Sequence, residues 1–237
     1  MIIGNGQLAK AFVPFEREDV CYFASGVSRS NCIDPMEFRR ERELLQNALK
    51  VHGNKKFVYF SSCALSAPEY PRNSYYQHKQ KMEDLIKNHS GCYYIFRIPQ
   101  LFGCLKSHNT LINFLYECIL EQKKFEVYSD AYRYVIELQD VRKIITSYLD
   151  YGRCKTTLDI ANPYRYKVTS IVKIFESLLD CKADYDLVLK EDGYLLDLKQ
   201  LESFVEDNEV EVNFSRDYLF DKLKTATEPL NKSRNQR

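Results

Sequence analysis

Tyr75 and Lys79 stand four residues apart, and Ser62 precedes them at the end of a strand-like run. A spacing of four puts the phenol and the ammonium on one face of a helix, within reach of each other. A positive charge beside a phenol favours the phenolate, so Tyr75 is expected to have a lowered pKa. Such a tyrosine can exchange a proton with a substrate hydroxyl or carbonyl. A serine hydroxyl nearby could hold the same oxygen. These are the groups required to move a hydride to or from an alcohol carbon. Each also has an ordinary explanation. A Tyr/Lys pair at this spacing is more often a solvated helix face, and Ser61-Ser62 more often a strand end or helix cap.

The elements that must position these residues follow from the pattern of the chain. Met1-Ile2-Ile3 reads as a short buried strand running into Gly4-Asn5-Gly6-Gln7-Leu8-Ala9 and the start of a helix. Cys21 to Ser25 is a second strand, Asp34-Pro35 opens a charged helix through about Val51, and Phe57 to Phe60 is a third strand ending at Ser61-Ser62. Tyr75 to Lys87 is helical, and Tyr93 to Arg97 is a fourth strand. Strands alternating with helices predict a parallel sheet covered on both faces. Beyond Gly103, a helix capped by Asn109 or Thr110 is expected, then short strands at 125–128 and 134–136. A helix from Asp140, a strand at 157–160 and a helix over Val168 to Leu179 follow. The polar residues from Thr225 to Arg237 read as a frayed tail.

Composition narrows the class. The chain has 237 residues, 45% hydrophobic and 28% charged, with a formal net charge of +1. That balance gives no global field for nucleic acid or a membrane surface. With 4 histidines and no C-x-x-C pair, no metal site is expected. The eight scattered cysteines read as reduced thiols of a cytoplasmic protein. No secretory signal or membrane-spanning run is visible.

Gly4-x-Gly6-x-x-Ala9 follows a strand and opens a helix, the setting of a dinucleotide fingerprint. Small residues there let a pyrophosphate approach backbone N–H groups. An acid about 20 residues on usually binds the adenosine ribose. Here that distance already reaches the Cys21 strand, and only Glu16, Arg17 and Glu18 fall in the shortened link. NAD and NADP are therefore not distinguished.

Taken together, these residues resemble the extended short-chain dehydrogenase/reductase family, the NAD(P)-dependent nucleotide-sugar epimerases, dehydratases and reductases, from Gly4 to about Ile171. The glycine loop, Phe23-Ala24-Ser25-Gly26, Tyr59-Phe60-Ser61-Ser62-Cys63-Ala64-Leu65 and Tyr75-x-x-x-Lys79 match the family's motifs in order. So do Arg97-Ile98-Pro99-Gln100-Leu101-Phe102-Gly103, Tyr132 to Val141, and Ile160-Ala161-Asn162-Pro163. The resemblance implies a Rossmann-like doubly wound parallel sheet, truncated after its first βα unit, with a small C-terminal α/β substrate-binding lobe. The expected division is 1–106 plus about 125–160 for the dinucleotide domain, 107–124 plus about 161–224 for the lobe, and 225–237 for the tail.

The same resemblance implies roles. Ser62, Tyr75 and Lys79 would be catalytic. Gly4, Asn5, Gly6, Gln7, Leu8, Phe23, Ala24, Ser25, Ser61, Tyr75, Lys79, Pro99 and Leu101 would hold NAD or NADP. Ser62, Cys63, Gln100, His108, Asn109 and Arg133 would face a nucleotide-linked sugar, with Arg133 on its diphosphate. Cys63 also reads as a packing residue, and His78 as a surface one. Cys63-Ala64 replaces the Asp-Glu pair of the family's dehydratases, which leaves ketosugar reduction or epimerisation in glycan or polysaccharide precursor biosynthesis. Pairing of two copies through the Tyr75/Lys79 helix is a further implication. The rival reading is a catalytically silent regulatory or cofactor-sensing Rossmann protein.

Overall fold

The structure is a computed structural model that describes residues 1–105 and 110–234, with side chains to residue 228. Along the chain come β1 (Ile2–Ile3), α1 (Gln7–Phe12), β2 (Val20–Phe23), α2 (Pro35–His52), β3 (Lys56–Ser62), α3 (Ser74–His89) and β4 (Tyr93–Ile98). β5 (Gln100–Phe102), α4 (Leu111–Leu120) and β6 (Phe125–Glu137) follow, then α5 (Leu138–Tyr151) and β7 (Thr156–Asp159). The remaining elements are β8 (Arg165–Lys167), α6 (Val168–Leu179), β9 (Tyr185–Asp192), α7 (Lys199–Asp207) and α8 (Tyr218–Arg234).

The chain divides into two compact units. The first comprises Met1–Ile98, Leu138–Ile160 and Leu196–Val212. The second comprises Pro99–Glu137, Ala161–Leu195 and the chain from Asn213 onward. These limits differ from the expected division at four places, the first being that residues 99–105 fall in the second unit. Residues 125–137 belong to the second unit, 196–212 return to the first, and the polar segment from Thr225 continues α8 to Arg234. Thr227 is buried within α8, its hydroxyl donating to the Leu223 carbonyl one turn earlier in the same helix at 2.9 Å.

The first unit is a five-stranded parallel sheet in the order β1-β2-β3-β4-β7. Alternation along the strands sorts the apolar side chains onto two faces. Cys21, Phe23, Phe57, Tyr59 and Ile95 pack with Leu45, Ala48 and Leu49 of α2 and with Met82 and Ile86 of α3. Tyr22 and Phe60 stack around Phe12 of α1, while Tyr94 and Phe96 meet Tyr148 of α5 edge-on. Helices thus cover both faces, as in a Rossmann-like fold. The strand order, however, advances from β1 in one direction only. The common dinucleotide-binding order places two further strands on the other side of the first. Among the described residues none is there, so β1 is an edge.

Caps fix where the helices begin. The Asp34 carboxylate accepts from the Met36 N–H and Pro35 takes the first helical position of α2. The Asn73 side chain caps α3 by accepting from the Tyr76 N–H at 3.0 Å.

The second unit centres on β6, a 13-residue strand where two short ones were expected. The polar stretch between Tyr128 and Tyr134 read as a break, yet β9 pairs with the strand up to Ala131 and β8 from Tyr132. A register shift between Tyr128 and Asp130 absorbs the irregularity. β5 pairs in parallel with its C-terminal end, and Ile112, Leu115, Ile171, Val172, Phe175 and Leu219 belong to this unit's core.

Candidate active site

The candidate residues of the first unit gather at the C-terminal edge of its sheet, the edge at which open α/β sheets bind ligands. After β1, Gly4 has φ +131°, and a Cβ there would stand 2.4 Å from the Ala24 carbonyl oxygen. Only glycine lets this turn press against the end of β2. Gly4, Asn5 and Gly6 are exposed, Gln7 and Leu8 half-buried, and the space around a Cβ on Gly6 is open. No side chain caps the N-terminus of α1.

At the end of β2, the Phe23 side chain turns into the core against Phe57 and Tyr59. This corrects its expected role: Phe23 can offer a ligand no side chain, and only the half-buried Ala24 and Ser25 remain at the edge. At the end of β3, the buried Ser61 hydroxyl has no hydrogen-bond partner. Ser62 is half-buried, and its hydroxyl accepts from the Ala64 N–H at 3.4 Å, capping the short 3-10 turn Cys63–Ser66.

That turn is held from beneath. Arg97 donates to both carboxylate oxygens of Glu83, at 2.9 and 2.7 Å, and to the Ser66 hydroxyl at 2.8 Å. Ser66 donates to Asp159, and Arg72 donates to the carbonyls of Ala64, Leu65 and Ala67. Cys63 is fully buried with its thiol on the Arg97 carbonyl at 3.1 Å. Burial first, and then the neighbouring Asp159, push that thiol well above its ordinary pKa. Cys63 is therefore a packing residue, which corrects its placement among the substrate contacts.

Tyr75 and Lys79 lie on one face of α3 as the spacing requires, 8% and 3% exposed. The Lys79 ammonium is 5.9 Å from the centre of the Tyr75 ring. Its charge is already engaged. Lys79 Nζ donates to Glu41 Oε1 at 3.0 Å and to the Tyr59 hydroxyl at 3.1 Å. Glu41, on α2, has no exposed surface and accepts three further bonds, from Val27 N–H and Tyr59 OH at 2.7 Å and from His78 Nε2 at 3.0 Å. Burial alone would push the Glu41 carboxyl up. The Lys79 charge and these hydrogen bonds outweigh it and hold the group well below the usual carboxylate range. The expected lowering of the Tyr75 pKa is accordingly reversed. Burial first, and then the Glu41 charge, raise it well above 10. Tyr75 is a neutral phenol at physiological pH.

His78 is likewise not a surface residue: it is buried, bonded to Glu41 and stacked on Phe38 at 4.7 Å. Glu41 is not singled out by any sequence motif, and Tyr59 and Gly26 stand in the sequence only as motif members with no role at the site. A signal existed for Glu41, which sits on the same helical stripe as Leu45, Ala48 and Leu49. An acid on an apolar stripe needs a buried partner.

The other expected contacts lie in the second unit. Pro99 and Gln100 are half-buried and Leu101 is buried. The Arg133 guanidinium donates to the Asp192 carboxylate at 2.5 Å and to the carbonyls of Asp192 and Tyr132. A diphosphate would have to compete with Asp192 for it. His108 and Asn109 lie outside the described residues. No group of metal-binding side chains occurs among the described residues.

No family model and no curated protein matches the chain. Solved structures do. RMD from Pseudomonas aeruginosa, complexed with NADPH, superposes with a TM-score of 0.69 at 15% identity, over 90% of this chain and 82% of that one. MoeE5 with UDP-glucose and NAD gives 0.73 at 16%, over 91% and 80%. UDP-glucuronic acid 4-epimerase from Bacillus cereus, with UDP-glucuronic acid and NAD, gives 0.72 at 15%, over 97% and 79%. The chain has the fold of the extended short-chain dehydrogenases/reductases. No helix among the described residues is long and apolar enough to cross a membrane.

Proposed function

We propose that the protein is an NAD(P)-dependent oxidoreductase that reduces a ketosugar attached to a nucleotide. The observation that carries this reading is the set of groups at one sheet edge: Tyr75 and Lys79 on one face of α3, with Ser61-Ser62 and the open Gly4-Asn5-Gly6 turn.

The residues present fit the pyrophosphate and nicotinamide side of a dinucleotide. The exposed turn before α1 has room at Gly6, and the buried Ser61 hydroxyl has no protein partner. Gly4, Asn5, Gly6, Gln7, Leu8, Ala24, Ser25 and Ser61 would hold it, with Pro99 and Leu101 contributing as the family resemblance implies. On the adenosine side, β1 is the sheet edge, which among the described residues leaves no strand to supply a ribose-binding acid. Affinity then rests on the pyrophosphate and nicotinamide contacts.

The bound nicotinamide supplies the hydride. Tyr75, held as the phenol, donates its proton to the carbonyl oxygen as negative charge develops there. The Ser62 hydroxyl orients that oxygen. Burial keeps Tyr75 in the protonated form that ketosugar reduction requires, and its raised pKa makes it a weaker acid than a free tyrosine, so the proton moves only as charge builds on the ketone oxygen. Gln100 and Arg133 are the substrate residues in this proposal. Glycan or polysaccharide precursor synthesis is the setting in which such a reduction has a use.

Calorimetry with NADH and NADPH, followed by ketosugar-dependent oxidation of the reduced cofactor, tests the reading. Tyr75→Phe is expected to lower turnover about 100-fold or more. Full turnover by Tyr75→Phe would sink the proton role. The pairing of Lys79 with Glu41 favours one second reading, a cofactor-sensing protein without turnover. Tight cofactor binding with no ketosugar-dependent oxidation would select it.

A further inference from the structure

We propose that Glu41 is a positioning residue of this centre: its carboxylate is the standing partner of the Lys79 ammonium, and by holding that charge it keeps Tyr75 a proton donor. The inference rests on the reading that Tyr75 exchanges the proton.

The geometry leaves the carboxylate no freedom. Oε2 accepts from the Val27 N–H at 2.7 Å and faces His78 Nε2 at 3.0 Å. Oε1 accepts from the Tyr59 hydroxyl at 2.7 Å and from Lys79 at 3.0 Å. The four donors come from the loop after β2, from β3 and from α3, so three segments converge on one side chain of α2. The loop also closes over the pair. A Cβ on Gly26 would lie 2.5 Å from Lys79 Nζ and 3.0 Å from Glu41 Oε1. Lys79 further stands 5.0 Å from the centre of the Tyr59 ring. The ammonium is thus fixed by the protein itself, at 3% exposure, before any ligand arrives.

The consequence for Tyr75 follows from the charges that face it. Lys79 and Tyr76 come from its own helix, Glu41 from α2 and Tyr59 from β3. An unpaired ammonium would pull Tyr75 toward phenolate. An ammonium compensated by a buried carboxylate exerts little net field, and the carboxylate itself opposes a second negative charge. The ion pair therefore sets how readily Tyr75 gives up its proton, without touching substrate.

The free protein reports this directly. Tyrosine labelled with ¹³C at Cζ, with Tyr75→Phe to assign the signal, gives the Tyr75 titration without cofactor. Glu41→Gln keeps the shape, removes the charge and leaves Lys79 uncompensated. Tyr75 is expected to ionise at least about tenfold more readily, and the alkaline limb of kcat should move by the same factor with KM unchanged. His78→Gln removes one donor and no compensating charge, so the titration should stay near that of the wild type. If Glu41→Gln does not fold, Lys79→Met is compared with Lys79→Met/Glu41→Gln, and Tyr75 should ionise more readily in the double variant. A Tyr75 titration unmoved by loss of the Glu41 charge overturns the proposal. Absence of turnover in the wild type would overturn the oxidoreductase reading instead, and the titration still decides the role of Glu41.

Discussion

Glu41 is a fully buried carboxylate whose partners include a buried ammonium and a buried imidazole, and its removal leaves both without compensation. Glu41→Ala is expected to destabilise the protein by about 3–5 kcal/mol, the usual consequence of breaking a buried ion pair, as read from urea melts. The pH dependence has a definite sign. The folded-state pKa of Glu41 lies below its ordinary value of 4.5, so its stabilisation is present above that pH and fades as acid approaches the depressed value. Tyr75 and Tyr59 have raised values, so their contribution is complete below about pH 10 and is lost as alkali rises toward the folded values. Melting temperature against pH should accordingly fall at both extremes, and Glu41→Gln should flatten the acid side. Residue types and spacing made Tyr75, Lys79 and Ser62 legible. The sense of the Tyr75 shift was not, because it depends first on burial in the folded molecule and then on Glu41, thirty-four positions earlier in the sequence.

At the scale of elements, two glycines separate a backbone requirement from a side-chain one. Gly4→Ala places a non-glycine residue at φ +131° and a methyl group 2.4 Å from a backbone oxygen. It should cost at least about 1–3 kcal/mol in a denaturant melt and loosen the turn at the edge strand. Gly26→Ala meets the tip of the flexible Lys79 side chain at 2.5 Å instead. Its expected effect falls on stability and turnover together, since Lys79 must shift away from Glu41 and weaken the buried pair. Comparison of melts with ketosugar-dependent rates for the two variants distinguishes the cases. The helices were legible here because their caps are local: Asp34-Pro35 and Asn73 announce α2 and α3 in a few residues. β6 was not, since its polar middle is held in extended form by β8 and β9, segments more than thirty residues downstream.

At the scale of the whole molecule, the outer side of α2 and α3 carries a groove of about 640 Å³ lined by Ile33, Phe38, Arg42, Gln77, Lys81 and Leu85, among others. Ile33 is 80% and Met36 66% exposed beside it. Two copies pairing through these helices, the arrangement implied by the family resemblance, would cover them. Light scattering is expected to give a dimer that Ile33→Glu/Met36→Glu converts to monomer; a monomeric wild type would discard the pairing. What the sequence determined by itself was whatever short-range chemistry encodes: the glycine turn, the capped helices, the alternating strands and the Tyr75/Lys79 face. Tertiary structure alone decided that β6 is one continuous strand, that Arg133 is tied to Asp192, and that Lys79 is neutralised by Glu41. Strand pairing and ion pairing join residues far apart in the chain, and in a buried, low-dielectric site the partner a charge meets outweighs the type of residue that bears it.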